Sequence, residues 1–313
     1  MSKKSTHRQI KPERYTGCGM NSLNADIFHL ITGHLEREDR HAFHQVNTHV
    51  RREYEQLNKQ YRYLSLNRKY SLLFYQEKSF RARVLAMVID PKRQLALDLS
   101  DQRSVKDVRI LSGVHTLDLS GCTNVENVNA LGRIYDLNLS RCHQVTDVRG
   151  LGGVHTLTLM NCGFITDVRA LGNVHTLNLC GCASVTDVSA LGGVHALDIS
   201  ASYLGESKVT DFTALGSVHT LNLSRCSNVT NVSCFNRVHT LNLHFCVNLV
   251  DVRPLFRVHN LNLSDCHKLK NVSALGGVHT LNLSRCGKIV DISALGKVQR
   301  LNISGCSRIA KRW

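Results

Sequence analysis

No run of 18 apolar residues occurs in this 313-residue chain, so the sequence contains no candidate for a membrane-spanning helix. The opening MSKKSTHRQIKPER has charge but no apolar segment, which predicts no secretory signal. Catalytic signatures are missing as well: there is no Gly-rich phosphate loop after a strand, no His-Glu-x-x-His and no nucleophile elbow. Zinc-type Cys-x₂₋₄-Cys pairing is missing too, because Cys180 and Cys182 are too close and should face opposite sides of a strand. Aromatic residues make up only 6% of the chain, and no run of them lies between the scattered lysines and arginines. A net charge of +15 attracts phosphate polymers in general, but without such aromatics it reads as a solvated surface. These absences predict a non-enzymatic protein with no cofactor, no metal, no small-molecule substrate, no membrane contact and no nucleic-acid partner.

What is present is repetition. The stretch VHTLNLSRCGKIVDISALGK, residues 278–297, recurs with its first residue at Gln94, Val114, Ile134, Val154, Val174, Val194, Val218, Val238, Val258, Val278 and Val298. Every step is 20 residues except one of 24, so ten full units and a partial eleventh fill residues 94–313. A fixed period of this length marks a solenoid, in which no unit can bury its apolar face alone. Numbered from that first residue, apolar side chains fall at positions 1, 4 and 6, cysteine at 9, and apolar side chains again at 12, 15 and 18. The alternation at 4 and 6 predicts a short strand with one buried face. The steps of three that follow suit tight turns or a 3₁₀-like return path better than an α-helix.

Leu-x-x-Leu-x-Leu-x-x-Cys resembles the leucine-rich-repeat pattern. The resemblance implies an α/β solenoid: a horseshoe of stacked rungs with a parallel β-sheet on its concave face. Nine of the twelve cysteines occupy position 9, a ladder rather than a disulfide framework, and are expected as buried free thiols that donate weakly to turn carbonyls. Asn-x-Ser recurs at Asn138, Asn222, Asn262, Asn282 and Asn302, where glycans on neighbouring strands would collide. Reduced thiols and unglycosylated asparagines predict a cytoplasmic or nuclear protein. Position 2 is histidine in eight units, from His115 to His279, and reads as a stack of neutral imidazoles at the sheet edge. Like charges side by side are disfavoured, so such a column should resist full protonation.

Ahead of the repeats, residues 1–22 read as a disordered basic tail. Residues 1–93 carry 18 Lys/Arg against 9 Asp/Glu. Asn24 and Asp39 are candidate N-caps of two helices. The stretch LNADIFHLITGHLEREDRHAFHQVNTHV, residues 23–50, resembles an F-box, with Leu23, Ile27, Ile31, Leu35, Asp39, Phe43 and Val46 on typical positions. Asn24 stands where the family has proline, Arg40 where it has leucine and Val50 where it has tryptophan. The resemblance implies a small α-helical F-box-like domain over residues 23–60. Its contacts with the Skp adaptor of an SCF ubiquitin ligase would fall on Leu23, Asn24, Ile27, Ile31, Leu35 and Asp39. Residues 61–93 are expected as a helical N-terminal cap, with YRYLSL strand-like and a helix over 71–89 that ends before Asp90-Pro91. At the other end, Trp313 is expected to fold back as a lid over the last rung.

A ligand can be recognised only where the repeat stops repeating. That criterion selects Arg141, Met160, Asn161, Phe164, Tyr203, Arg225, His244, Phe245 and Arg285 as candidate ligand-binding residues. Aromatics with arginines on a rigid sheet are the composition of protein-interface hot spots. The sequence thus points to an adaptor that holds a protein substrate on the concave face, as the recognition subunit of an SCF-type ligase. The other reading it leaves open is a leucine-rich-repeat binding scaffold without a ligase role, whose N-terminal helices only cap the solenoid.

Overall fold

The structure is a computed structural model that describes residues 63–88, 94–202 and 205–309. The F-box-like stretch, the basic tail, Tyr203 and Trp313 lie outside the described residues. The described chain opens with β1 (Tyr63–Leu66), α1 (Arg68–Gln76), α2 (Lys78–Met87) and β2 (Gln94–Asp98). One strand per repeat follows: β3 (Thr116–Asp118), β4 (Asp136–Asn138), β5 (Thr156–Thr158), β6 (Thr176–Asn178) and β7 (Ala196–Asp198). The series ends with β8 (Thr220–Asn222), β9 (Thr240–Asn242), β10 (Asn260–Asn262), β11 (Thr280–Asn282) and β12 (Arg300–Asn302). All twelve form a single parallel sheet in chain order. Register is constant, with equivalent positions side by side: Leu241 faces Leu221 on one side and Leu261 on the other.

Constant register stacks each buried position into a column. Leu117, Leu119, Cys122, Val125, Val128, Leu131 and Ile134 are each at most 1% exposed, and the same positions are buried in the rungs around them. Each buried leucine contributes about 2 kcal/mol from removal of apolar surface, and only the neighbouring rungs supply that cover. The steps of three have a backbone cause. The N–H groups at positions 9, 12, 18 and 1 donate to the carbonyl three residues earlier, as in Cys142→Leu139 (3.1 Å), Val145→Cys142 (3.1 Å), Leu151→Val148 (3.0 Å) and Val154→Leu151 (3.0 Å). Apolar side chains therefore sit on the inside of successive tight turns, and 3₁₀ segments such as Arg149–Leu151 recur in every full repeat from Gln94 onward.

Position 14 lies two residues before each 3₁₀ segment. Its Asp or Asn accepts the N–H two residues on, as Asp147 does from Arg149 at 3.0 Å. Leucine-glycine at positions 18–19 is more than punctuation. A Cβ on Gly172 would run into the carbonyl oxygen of Ala190 in the next rung, so glycine there permits two turns to approach backbone to backbone.

Residues 61–93 hold more than helix. Tyr63–Leu66 is a strand that pairs in register with Gln94–Leu97 and so extends the sheet by one rung. The helix expected over 71–89 is two helices, broken where Glu77 adopts an extended backbone (φ −104°, ψ 113°). Asn67 caps α1 by accepting the Tyr70 N–H at 3.2 Å. Phe74 in α1 and Phe80 and Val84 in α2 are fully buried, and Ser71 donates to Leu66 O at 2.9 Å beneath them. The break lets both helices turn a phenylalanine inward, which one straight helix with Leu73 and Phe80 on its stripe would not.

Candidate protein interaction face

Outward-facing side chains of the sheet come from positions 3, 5 and 7. Hydrogen bonding there runs mostly within a rung. Asn222 Oδ1 accepts the Ser224 N–H at 3.1 Å, and Asn282 Oδ1 accepts the Ser284 N–H at 3.0 Å. The bond turns the chain off the strand, which explains why asparagine or aspartate recurs at position 5. Bonds between rungs are local exceptions, such as Asn222 Nδ2 to Asp198 Oδ2 at 2.8 Å.

Position 8 follows that turn, and its backbone is left-handed. Asp101, Arg141, Asn161, Arg225, Phe245, Asp265 and Arg285 have φ between 58° and 65°, while glycine fills the same place at Gly121, Gly181 and Gly305. Except for Gly305 on the last rung, each of these N–H groups still donates to position 7 of the next rung, as Phe245 does to Ser264 O at 2.9 Å. The sheet ladder thus continues past the strand and holds bulky residues in a conformation that disfavours them. Arginine and phenylalanine at such a site project from a fixed backbone.

The candidate residues fall into two groups rather than one. Arg141, Met160, Asn161 and Phe164 lie on the rungs of β4 and β5. There Arg141 reaches Asp101 at 3.5 Å, Met160 is half-buried, and Asn161 Oδ1 is buried without a hydrogen-bond partner. Phe164 is 65% exposed. It occupies position 11, where Asn124 and Asn248 instead donate to position 10 of the rung before. Three rungs further on, Arg225, His244, Phe245 and Arg285 come together. The Arg225 guanidinium lies 5.5 Å from the centre of the Phe245 ring, and His244 Nδ1 lies 2.9 Å from Ser264 Oγ and 3.6 Å from Asp265. Asp265 in turn lies 3.8 Å from Arg285.

His267 belongs to this second group and was not among the sequence candidates. Its ring meets Phe245 edge-on at 5.9 Å and 82°. The available signal was a histidine at position 10, where most repeats carry a small or polar residue. Beside the insertion after β7, a cavity lined by Leu179, Ile199 and Val209 has about 20 Å³, space for a single water.

The histidines form a continuous stack. His115, Tyr135, His155, His175, His195, His219, His239, His259 and His279 stack ring on ring at 4.3–4.8 Å, with interplanar angles of 8–24°. Position 2 lies at the bend before the strand. There Nδ1 sits 3.1–3.3 Å from the threonine hydroxyl at position 3 in five of the rungs. Desolvation, then the neighbouring imidazoles, lower the pKa of His175 and His239. Among the described residues, no three His, Cys, Asp or Glu side chains are placed to hold a metal ion.

The position-9 thiols donate to the position-6 carbonyl one rung back at 3.0–3.5 Å, as Cys142 does to Leu119 at 3.1 Å. Burial pushes Cys122 and Cys162 up to about 11 and Cys266 and Cys286 to about 12.

A parallel sheet of one strand per 20-residue rung, returned through 3₁₀ turns, defines a leucine-rich-repeat solenoid. Among solved structures, the chain is similar to the internalin InlF of Listeria monocytogenes, with TM-score 0.51 and 17% identity over 75% of this chain and 80% of that one. It is also similar to a leucine-rich-repeat protein of Leptospira interrogans (TM-score 0.44, 16% identity, covering 72% of this chain and 75% of that one). A third similar structure is the functional domain of Listeria InlJ, which includes a cysteine ladder (TM-score 0.44, 17% identity, covering 71% of this chain and 49% of that one). No protein-family model and no curated protein sequence matches the chain. No helix among the described residues is long and apolar enough to cross a membrane.

Proposed function

We propose that this chain is a non-enzymatic binding scaffold that holds a protein partner on the outward face of its sheet, centred on Phe245. One observation carries the reading. On rungs that otherwise repeat almost identically, Phe245 is 38% exposed and is framed by Arg225, His244, His267 and, through Asp265, Arg285. An exposed apolar aromatic with an arginine on its face, held on a backbone fixed by the sheet, has the makeup of an interface anchor.

The finer form of the proposal is a substrate-recognition subunit of an SCF-type ubiquitin ligase in the cytoplasm or nucleus. Its support is the resemblance of residues 23–50 to an F-box. In this form Leu23, Asn24, Ile27, Ile31, Leu35 and Asp39 dock on a Skp-type adaptor, and the repeats present the substrate.

Affinity capture with the full chain tests both levels. Recovery of a Skp-type adaptor, lost on Ile31→Lys because a charge enters an apolar contact, supports the ligase role. Recovery of partners that depend on Phe245 without any adaptor reduces the proposal to the scaffold alone. Partners that ignore substitution of Phe245 and Arg285 refute the placement of the site.

A further inference from the structure

The two ends of the outward face carry opposite charge. Across positions 3 to 11 on the rungs of β2 to β6, Asp98, Asp101, Asp118 and Asp136 oppose Arg103 and Arg141, and Arg141 already lies 3.5 Å from Asp101. The same positions on the rungs of β8 to β12 carry Arg225, Lys268, Arg285, Lys288, Arg300 and Arg308 against a single carboxylate, Asp265. That carboxylate is only 13% exposed and is turned toward His244 and Arg285. The Arg285 side chain is 76% exposed, and Lys268, Lys288 and Arg308 are all exposed. The excess of positive charge therefore faces solvent, and Phe245 stands within it.

From this arrangement we propose that the rim formed by the rungs of β8 to β12 binds an extended acidic peptide segment that rests an apolar side chain on Phe245. The inference rests on the protein-binding reading above and adds the chemistry of the partner. Position 8 supplies Arg225 and Arg285, and position 11 supplies Lys268, Lys288 and Arg308, so cations line both sides of a shallow track. Five rungs at the spacing of neighbouring strands extend about 19 Å, the reach of about six extended residues. Carboxylates in such a segment meet arginine and lysine across water-exposed contacts. These add attraction and orientation more than tight affinity, and the apolar anchor supplies the rest.

Nucleic acid fits the rim less well. One face of Phe245 is taken by Arg225 and an edge by His267, which leaves no row of ring faces on which successive bases could stack.

Fluorescence anisotropy with the full chain tests the proposal. The probes are labelled peptides of about twelve residues: one built of Glu and Leu, one of Gln and Leu, and one of Lys and Leu, beside an oligothymidylate of similar length. The acidic peptide should bind at least about tenfold tighter than the neutral one and lose affinity as salt rises. Arg285→Glu combined with Lys288→Glu should remove that preference, and Phe245→Ser should weaken binding even in high salt. Arg103→Glu combined with Arg141→Glu, at the other end of the sheet, should change nothing. Equal binding of acidic and neutral peptides, both dependent on Phe245, overturns the acidic class and leaves the protein-binding reading standing. Oligothymidylate bound as tightly as the acidic peptide, or an equal effect of the Arg103/Arg141 pair, overturns the rim as a peptide site. No binding of any peptide also overturns it, and the scaffold reading is then judged separately by the affinity capture.

Discussion

The Cys246 thiol lies 3.3 Å from the carbonyl oxygen of Leu223, at position 6 of the rung before, and uses that oxygen as its acceptor. The same contact recurs along the ladder, so each thiol is fixed at once by burial and by a bond across rungs. Burial also holds the thiolate fraction low, with Cys182 pushed up to about 12. Under native conditions at mild alkaline pH, a thiol reagent should therefore leave Cys142, Cys162, Cys246 and Cys266 unmodified while Cys180 and Cys234, both half-buried, react first. Mass mapping of the labelled sites checks the order. Cys246→Ala should lose about 1 kcal/mol through a small cavity, read by chemical denaturation.

The imidazole stack makes stability depend on pH with a definite sign. The pKa values of His175 and His239 are lowered on folding, so the unfolded chain binds more protons in the range just below the ordinary value of 6.5. Their contribution is present above that value and is lost below it, as the pH falls through the lowered values of the folded state. Denaturation midpoints should fall between pH 7.5 and 5, and His239→Gln should flatten the change. A midpoint that rises over this interval contradicts the stack as a neutral column. A second loss belongs to lower pH. Side-chain hydrogen bonds from Arg109, Arg169 and Arg253, then their backbone N–H groups, hold Asp107, Asp167 and Asp251 at about 2. That contribution is present above about 4 and disappears as the pH falls toward 2.

Gly172 should not tolerate a side chain. Alanine there places its methyl group against the Ala190 carbonyl, a backbone atom that can move only if the next rung moves. A loss of about 1–3 kcal/mol is expected, the range for overpacking a close contact. Gly296, where an added Cβ would meet nothing within 4 Å beyond its chain neighbours, is the control: alanine there should leave the denaturation midpoint within error.

Arg285 offers the opposite case. It holds a left-handed backbone (φ 59°) that costs a non-glycine residue about 1–2 kcal/mol, partly offset when glycine adds freedom to the unfolded chain. Arg285→Gly should raise stability by about 0.5–1 kcal/mol, as Gly305 already permits in the next rung, while it weakens binding at the rim. A simultaneous gain in stability and loss of binding would show that the arginine is kept for what it touches rather than for the fold.

The solenoid itself was legible because period and burial coincide. Leu117, Leu119, Cys122 and Leu131 each repeat every 20 residues, and constant register turns a pattern in sequence into a column in space. Phe245 and Arg225 stood out for a related reason, as departures from a near-perfect repeat. What the pattern hid was conformation. Gly121, Gly181, Gly305, Asp101 and Asn161 at position 8 are residue types that favour a left-handed turn, but Arg141, Arg225, Phe245 and Arg285 share that turn and their side chains do not announce it. The break at Glu77 was hidden in the same way, since glutamate and its neighbours Gln76 and Lys78 are all ordinary helix residues. His267 escaped notice because its role depends on a ring one rung away.

Constant register also makes this protein a ruler. Each strand pairs only with the strand before and the strand after, at equivalent positions, so a whole repeat can be removed or copied without disturbing the strand register of the rest. Deletion of residues 174–193 would move the Asp-rich end of the sheet about 4.8 Å nearer the Phe245 rim, and would also remove Leu179 and its neighbours from the small cavity beside the insertion. The distance between two binding features is thus set by an integer, and lengthening the chain by duplication tunes what it can span before any single side chain has to change.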